Sequence, residues 1–321
     1  MNKNKFYKHF KNIVLIISLI FIYENSKKNY QTVLESINLN YYKIFLLIVI
    51  FIIIQNLLSI RTYSILNLTS KYRSTFSNWC NLFYLTSLIN LNPLWGAGHI
   101  LRSYEMKKNN FSHKEYISLY FFIFFWSLLI YSLILIFFYY FFFNIKLYLF
   151  FILLTVLIIS LTITSNIFLN FCETIFKKII NFKFIKKTMN SNYFIKELLK
   201  LIDLSILISN KKIFLNFFFF TILLICFEYL SLNLIFEFIF KIYDTEILFL
   251  FFLTSFLIRC IQPLDNIIGV KETILGLYGQ QFGLLFLEGA LIAIIWRLLF
   301  SVSLIINFIF FYFVTSFNDK T

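Results

Sequence analysis

Residues 117–143 read I-S-L-Y-F-F-I-F-F-W-S-L-L-I-Y-S-L-I-L-I-F-F-Y-Y-F-F-F. None of these side chains is charged, and the run is longer than the roughly 20 residues an α-helix needs to cross a bilayer core. Backbone at that depth has no water to satisfy its N–H and C=O groups, so an uncharged run of this length reads as a membrane helix. Residues 147–172 form a second run of the same kind.

Working outward, residues 44–60 form a shorter apolar run whose flanking Lys43 and Arg61 are placed to snorkel to the two surfaces. Residues 213–227 continue past Glu228 to Phe236, 247–258 are followed at once by Arg259, and 298–317 form a final uncharged run. The N-terminal run 13–23 follows Lys3, Lys5, Lys8 and Lys11 without a small-residue cleavage site, and is read as a retained first helix. The expected architecture is all-α: a polytopic helical bundle with about seven spans.

Composition agrees, because 60% hydrophobic and 14% charged residues leave more apolar surface than a soluble core can use. The formal charge of +14 sits in short segments between apolar runs, where it faces anionic headgroups, and nucleic acid is not an expected partner. Cys80, Cys172, Cys226 and Cys260 stand alone, without C-x-x-C spacing, so no metal site or disulfide framework is signalled. No cofactor is expected.

The basic segments are the N-terminal tail, 61–73, 102–114 and 177–212, whereas 228–246 carries Glu228, Glu237, Asp244 and Glu246 against Lys241. The bias of Lys and Arg toward the cytoplasm then puts the basic segments inside and the acidic one outside. That path holds only if the apolar stretch 79–101 enters and leaves on one side, as a re-entrant hairpin broken by Pro93, Gly96 and Gly98. The bland alternative is a helix that ends at Pro93. Residues 177–212 interleave Lys with apolar side chains and suit an anionic membrane surface or a solvated loop.

Two stretches carry the candidate chemistry. Residues 90–102 read N-L-N-P-L-W-G-A-G-H-I-L-R, where a helix starting after the glycines offers free N–H groups beside His99 and Arg102. Such a place suits a phosphate, with the planar fork of Arg102 as its partner, although a positive-inside anchor explains Arg102 equally well. Residues 262–276 read Q-P-L-D-N-I-I-G-V-K-E-T-I-L-G, in which Pro263, Gly269, Asp265, Lys271 and Glu272 interrupt an apolar region and suggest a second hairpin near 261–291. Glu288 and Arg297 follow within the apolar run 282–317, on roughly opposite faces of one helix, so the partner of Arg297 is sought on another segment. The chain thus divides into an N-terminal helix and connection (1–42), a first half (43–172), a basic cytoplasmic loop (173–212) and a second half (213–321) of one membrane domain.

These stretches resemble the transmembrane-region family of the lysylphosphatidylglycerol synthases, which are flippase-like membrane proteins. The family's first motif, roughly P-G-R-A-G-G-E-x-x-R, shares Pro93, Gly98 and Arg102 with this chain at the same offsets. Its second, roughly G-G-L-G-V-R-E-A followed by Y-R-L-L, is similar to residues 268–273 and to Trp296, Arg297, Leu298 and Leu299. The chain departs at His99, where the family has an acid, at Trp95 in place of Arg, and at Ile267 and Ile268 in place of two glycines.

The resemblance implies a bacterial plasma-membrane protein that binds and moves, or presents, an anionic phospholipid or a polyprenyl-phosphate glycolipid. The lipid-binding residues would be Gly98, His99, Arg102, Lys271, Glu272 and Arg297, with Pro93, Gly96, Pro263 and Gly269 as helix breakers. Full-length members add a soluble domain that uses aminoacyl-tRNA. The longest polar segment here, 173–212, has no nucleotide-binding glycine loop, and aminoacyl transfer is not expected of it. Two other classes fit the same residues. One is a membrane glycosyltransferase or accessory subunit working with glycolipid or cell-envelope enzymes, with Glu272 and His99 as candidate acid or base. The other is a non-catalytic lipid-binding scaffold; a homo-oligomer is compatible with each.

Overall fold

A computed structural model describes residues 41–68, 74–91, 97–142, 211–239, 245–260 and 269–318. The expected spans at 13–23 and 147–172, the basic loop 177–212 apart from its last two residues, Pro93, Gly96, Pro263 and Asp265 lie outside these residues. Eight helices are described: α1 Tyr41–Leu68, α2 Phe76–Leu91, α3 Ala97–Lys108, α4 His113–Phe142, α5 Lys211–Ile239, α6 Thr245–Cys260, α7 Val270–Gln280 and α8 Phe286–Asn318. Among the described residues there is no strand.

Tyr41–Asn67, Leu215–Glu237 and Phe286–Ser316 are each long and apolar enough to cross a membrane. The chain is therefore an integral membrane protein, helical throughout its described elements. Helix α4, one element of 30 residues, carries residues 117–142 of the expected run. By contrast the described lengths of α2, α6 and α7 are 16, 16 and 11 residues, about 24, 24 and 16 Å at 1.5 Å per residue.

The described residues fall into two compact units. The first draws on Met1–Ser59, Phe76–Leu101 and Leu224–Thr321, and the second on Ile60–Thr75 and Arg102–Leu223.

In the first unit α8 is the spine. Phe51 of α1 meets Trp296 edge-on at 5.1 Å, and Asn56 donates its side-chain amide to Asn307 Oδ1 at 3.0 Å, so α1 and α8 run the same way. Helix α2 runs opposite to both. Its Tyr84 hydroxyl donates to Asn56 Oδ1, its Asn81 to Thr315 Oγ1, and its Cys80 pairs with Ser59. Such carboxamide and hydroxyl bridges join helices where lipid supplies no hydrophobic driving force between them.

Helix α7 also runs antiparallel to α8, against its first half. Lys271 and Glu272, at the start of α7, meet Trp296 and Arg297, while Gly276, further along, lies against Phe286 and Gly289. Gly276 and Gly289 permit this approach, since a Cβ on either would run into the facing helix. Phe286 touches α7, and Phe311 touches Phe76 and Tyr84 of α2. These two α8 residues are separated by about seven turns of 3.6 residues and so lie on one face. Helices α2 and α7 therefore follow each other in the same direction along a single face of α8, the carbonyl end of α2 toward the amide end of α7.

The second unit corrects the reading of Arg61. The helix does not stop there to let the side chain snorkel; α1 runs on to Leu68, and Arg61 is 7% exposed. Its guanidinium donates to Ser127 of α4 and Thr221 of α5 and lies 5.1 Å from the centroid of the Phe217 ring. Lys43, at the other end of the apolar run, is half-exposed and pairs with Glu237 at 3.5 Å within the first unit. Accordingly, a membrane-impermeant maleimide is expected to modify Lys43→Cys in intact protein and to leave Arg61→Cys unreacted until denaturation. Equal labelling of the two would place Arg61 at a water surface.

The acidic segment 228–246 also needs correction. Glu228 lies inside α5, within the membrane-length stretch Leu215–Glu237, and is 2% exposed, so it is not a loop charge.

Candidate functional site

The site is built at the amide end of α7. Gly269 precedes the helix with φ 94°, a left-handed conformation that strains any residue with a Cβ, which is why glycine opens this helix. The first intrahelical bond runs from Thr273 N–H to the Gly269 carbonyl at 2.9 Å. The amide groups ahead of it point out of the helix end and carry its positive pole.

Glu272, in the third helical position, folds back so that Oε2 accepts the Gly269 N–H at 2.8 Å. Its other oxygen, Oε1, accepts from Arg297 Nε at 3.2 Å, and the side chain is 4% exposed. One carboxylate thus joins the start of α7 to α8. Beside it, Lys271 is 5% exposed, with Nζ 5.5 Å from the centroid of the Trp296 ring, which packs nearly perpendicular to Phe51. An ammonium on an indole face is stabilised electrostatically and is shielded from lipid by the ring. The Thr273 hydroxyl oxygen is buried and has no hydrogen-bond partner among the described residues.

The structure therefore brings together Lys271, Glu272 and Arg297, three of the residues expected to hold a lipid, with the breaker Gly269. The partner of Arg297 is on another segment, as the helical spacing requires. Glu288, which shares the helix of Arg297, instead caps the start of α8 by accepting the Leu285 N–H at 2.8 Å.

The other expected residues are at the start of α3. Gly98 donates its N–H to Asn90 Oδ1 at 2.9 Å, and a Cβ there would collide with the Thr86 carbonyl oxygen, so α3 begins tight against the last turns of α2. One of the N–H groups at this helix start, where a phosphate was expected, is thus taken by Asn90. His99 is half-buried on the same turn.

Arg102 belongs to the second unit. It is 2% exposed, bonded to the Tyr120 hydroxyl, with its guanidinium carbon 6.0 Å from that ring's centroid. Neither expectation for it, a surface anchor or a phosphate fork, includes this buried aromatic partner.

Two buried charges were missed as site candidates, Arg61 and Glu228. The signal for both was present: apolar residues continue on each side, with Tyr63, Ile65, Leu66 and Leu68 after Arg61 and Tyr229 to Phe236 after Glu228. No protein-family model, curated protein or solved structure matches this chain.

Proposed function

We propose that this protein binds the phosphate-bearing headgroup of an anionic lipid in the membrane and moves or presents that lipid. The observation that carries the reading is the cluster of buried Lys271 and Glu272 with the partly exposed Arg297 at the amide end of a short helix among membrane-length helices. Ionisable groups at such depth are costly and mark binding or transport pathways. Two cations beside an outward-facing helix amide end favour an anion.

The succession of α2 and α7 along one face of α8 supports the same reading. Two short helices that follow one another along a third are arranged like the parts of a discontinuous membrane helix, and in transporters such breaks hold the substrate. In this reading the two helices are the inner arms of the two re-entrant hairpins. The likeness of residues 93–102 and 268–273 to the flippase-like family points the same way.

The test is lipid binding by the full chain in nanodiscs of phosphatidylcholine, with and without phosphatidylglycerol. Lys271→Gln is expected to weaken binding of phosphatidylglycerol about tenfold, the scale of one charge-assisted hydrogen bond. Arg102→Ala, run in parallel, separates a ligand from a residue that packs on Tyr120. Unchanged affinity for both would remove the lipid site.

A further inference from the structure

Glu272 and Glu288 are a matched pair. Each stands third in its helix and each accepts the N–H of the residue just before that helix, at 2.8 Å. A carboxylate in this place is ordinarily a helix cap. Glu288 has that role, and no other partner for it is found among the described residues.

Glu272 differs in two respects. It is 3% exposed, and its second oxygen takes the Arg297 guanidinium. A backbone N–H at a helix start together with a guanidinium N–H is also the donor set that a phosphate oxyanion uses. The carboxylate therefore occupies the donors that an anionic headgroup would need.

We infer that Glu272 is a built-in surrogate for the ligand's anion, and that a phosphate-type anion binds at the start of α7 by displacing it from Gly269 and Arg297. This rests on the reading of the cluster as an anion site. The surrogate keeps Arg297 paired inside the membrane while the site is empty, and a ligand must outcompete it. That competition sets a lower affinity than the bare donors would give. Displaced, the carboxylate no longer ties α7 to α8, so ligand entry and release of that tie are one event.

The experiment compares wild type, Glu272→Gln and Glu288→Gln as full chains. Phosphatidylglycerol binding is read in phosphatidylcholine nanodiscs, and inorganic phosphate is titrated onto the detergent-solubilised protein. Glu272→Gln removes the competing charge, and its affinity for phosphatidylglycerol is expected to rise about tenfold or more, since one charge-assisted contact no longer has to be broken. Glu288→Gln is expected to match wild type. A matching rise for inorganic phosphate makes the ligand any phosphate-type anion; a rise for the lipid alone restricts it to a headgroup held with its acyl chains.

If Glu272→Gln fails to fold, Glu272→Asp keeps the charge but shortens its reach by one methylene, and it is expected to bind more tightly than wild type for the same reason. Affinity equal to or below wild type in the folded variant overturns the surrogate role while leaving the anion site standing. Absence of phosphatidylglycerol binding in wild type and in every variant removes the site itself.

Discussion

Gly289→Ala is expected to abolish the folded protein or nearly so. A methyl group at this position would run into the Leu275 carbonyl oxygen and lie 3.0 Å from Gly276 Cα, and both are backbone atoms of the facing helix, which no rotamer change can move. Overpacking a well-filled interior costs about 1–3 kcal/mol when side chains can adjust. Here α7 and α8 must separate, so the cost lies at or above the upper end of that range. The cluster of Lys271, Glu272 and Arg297 is held by the same contact and would be lost with it. Size-exclusion profiles of fluorescent fusions and thermal stability in detergent provide the measurement.

Gly283→Ala is the control. Nothing lies within 4 Å of its added methyl, and only the left-handed backbone, φ +80°, opposes it. About 1–2 kcal/mol is the expected cost. If Gly289→Ala were as stable as Gly283→Ala, the close approach of α7 to α8 would be wrong.

The second large effect concerns the buried ion pair. Arg297→Met leaves the Glu272 carboxylate, 3% exposed, without its guanidinium. Breaking a buried pair from one side costs about 3–5 kcal/mol, and because the Arg297 side chain is 24% exposed the lower part of that range is expected. Adding Glu272→Gln to Arg297→Met removes the stranded charge while the new carboxamide oxygen still accepts the Gly269 N–H, so the double variant is expected to recover most of the loss. A double-mutant cycle on thermal stability in detergent isolates this coupling. Additive losses would mean that the two side chains are not partners in the folded protein.

The helical membrane class was legible in the sequence because it depends on local quantities. Charge-free runs of bilayer length have one stable backbone solution, and the runs at 117–143 and 298–317 show it without reference to any neighbour. Of the expected breakers, Gly269 was legible for the same reason. The glycine before Val270 marks a helix start through its own backbone preference, and the spacing of Glu288 and Arg297 on one helix was enough to exclude that pair.

What the sequence could not supply is which helices meet. Lys271 and Glu272 are joined to Trp296 and Arg297 by the antiparallel packing of α7 on α8, and that packing depends on the fit of Gly276 against Phe286 and Gly289. Arg61 looked like a snorkelling flank because its hydroxyl partners, Ser127 and Thr221, come from two later helices. Glu228 was counted with the acidic segment 228–246 although apolar residues flank it on both sides, because the helices that enclose it are not neighbours in sequence. Hydropathy and facial spacing are properties of neighbouring residues, so the sequence determined the helical membrane class and the three membrane-length helices among the described residues. The partner of a buried charge depends on contacts between distant segments, so only the tertiary structure decided that Glu272 holds Arg297 and that α2 and α7 share one face of α8.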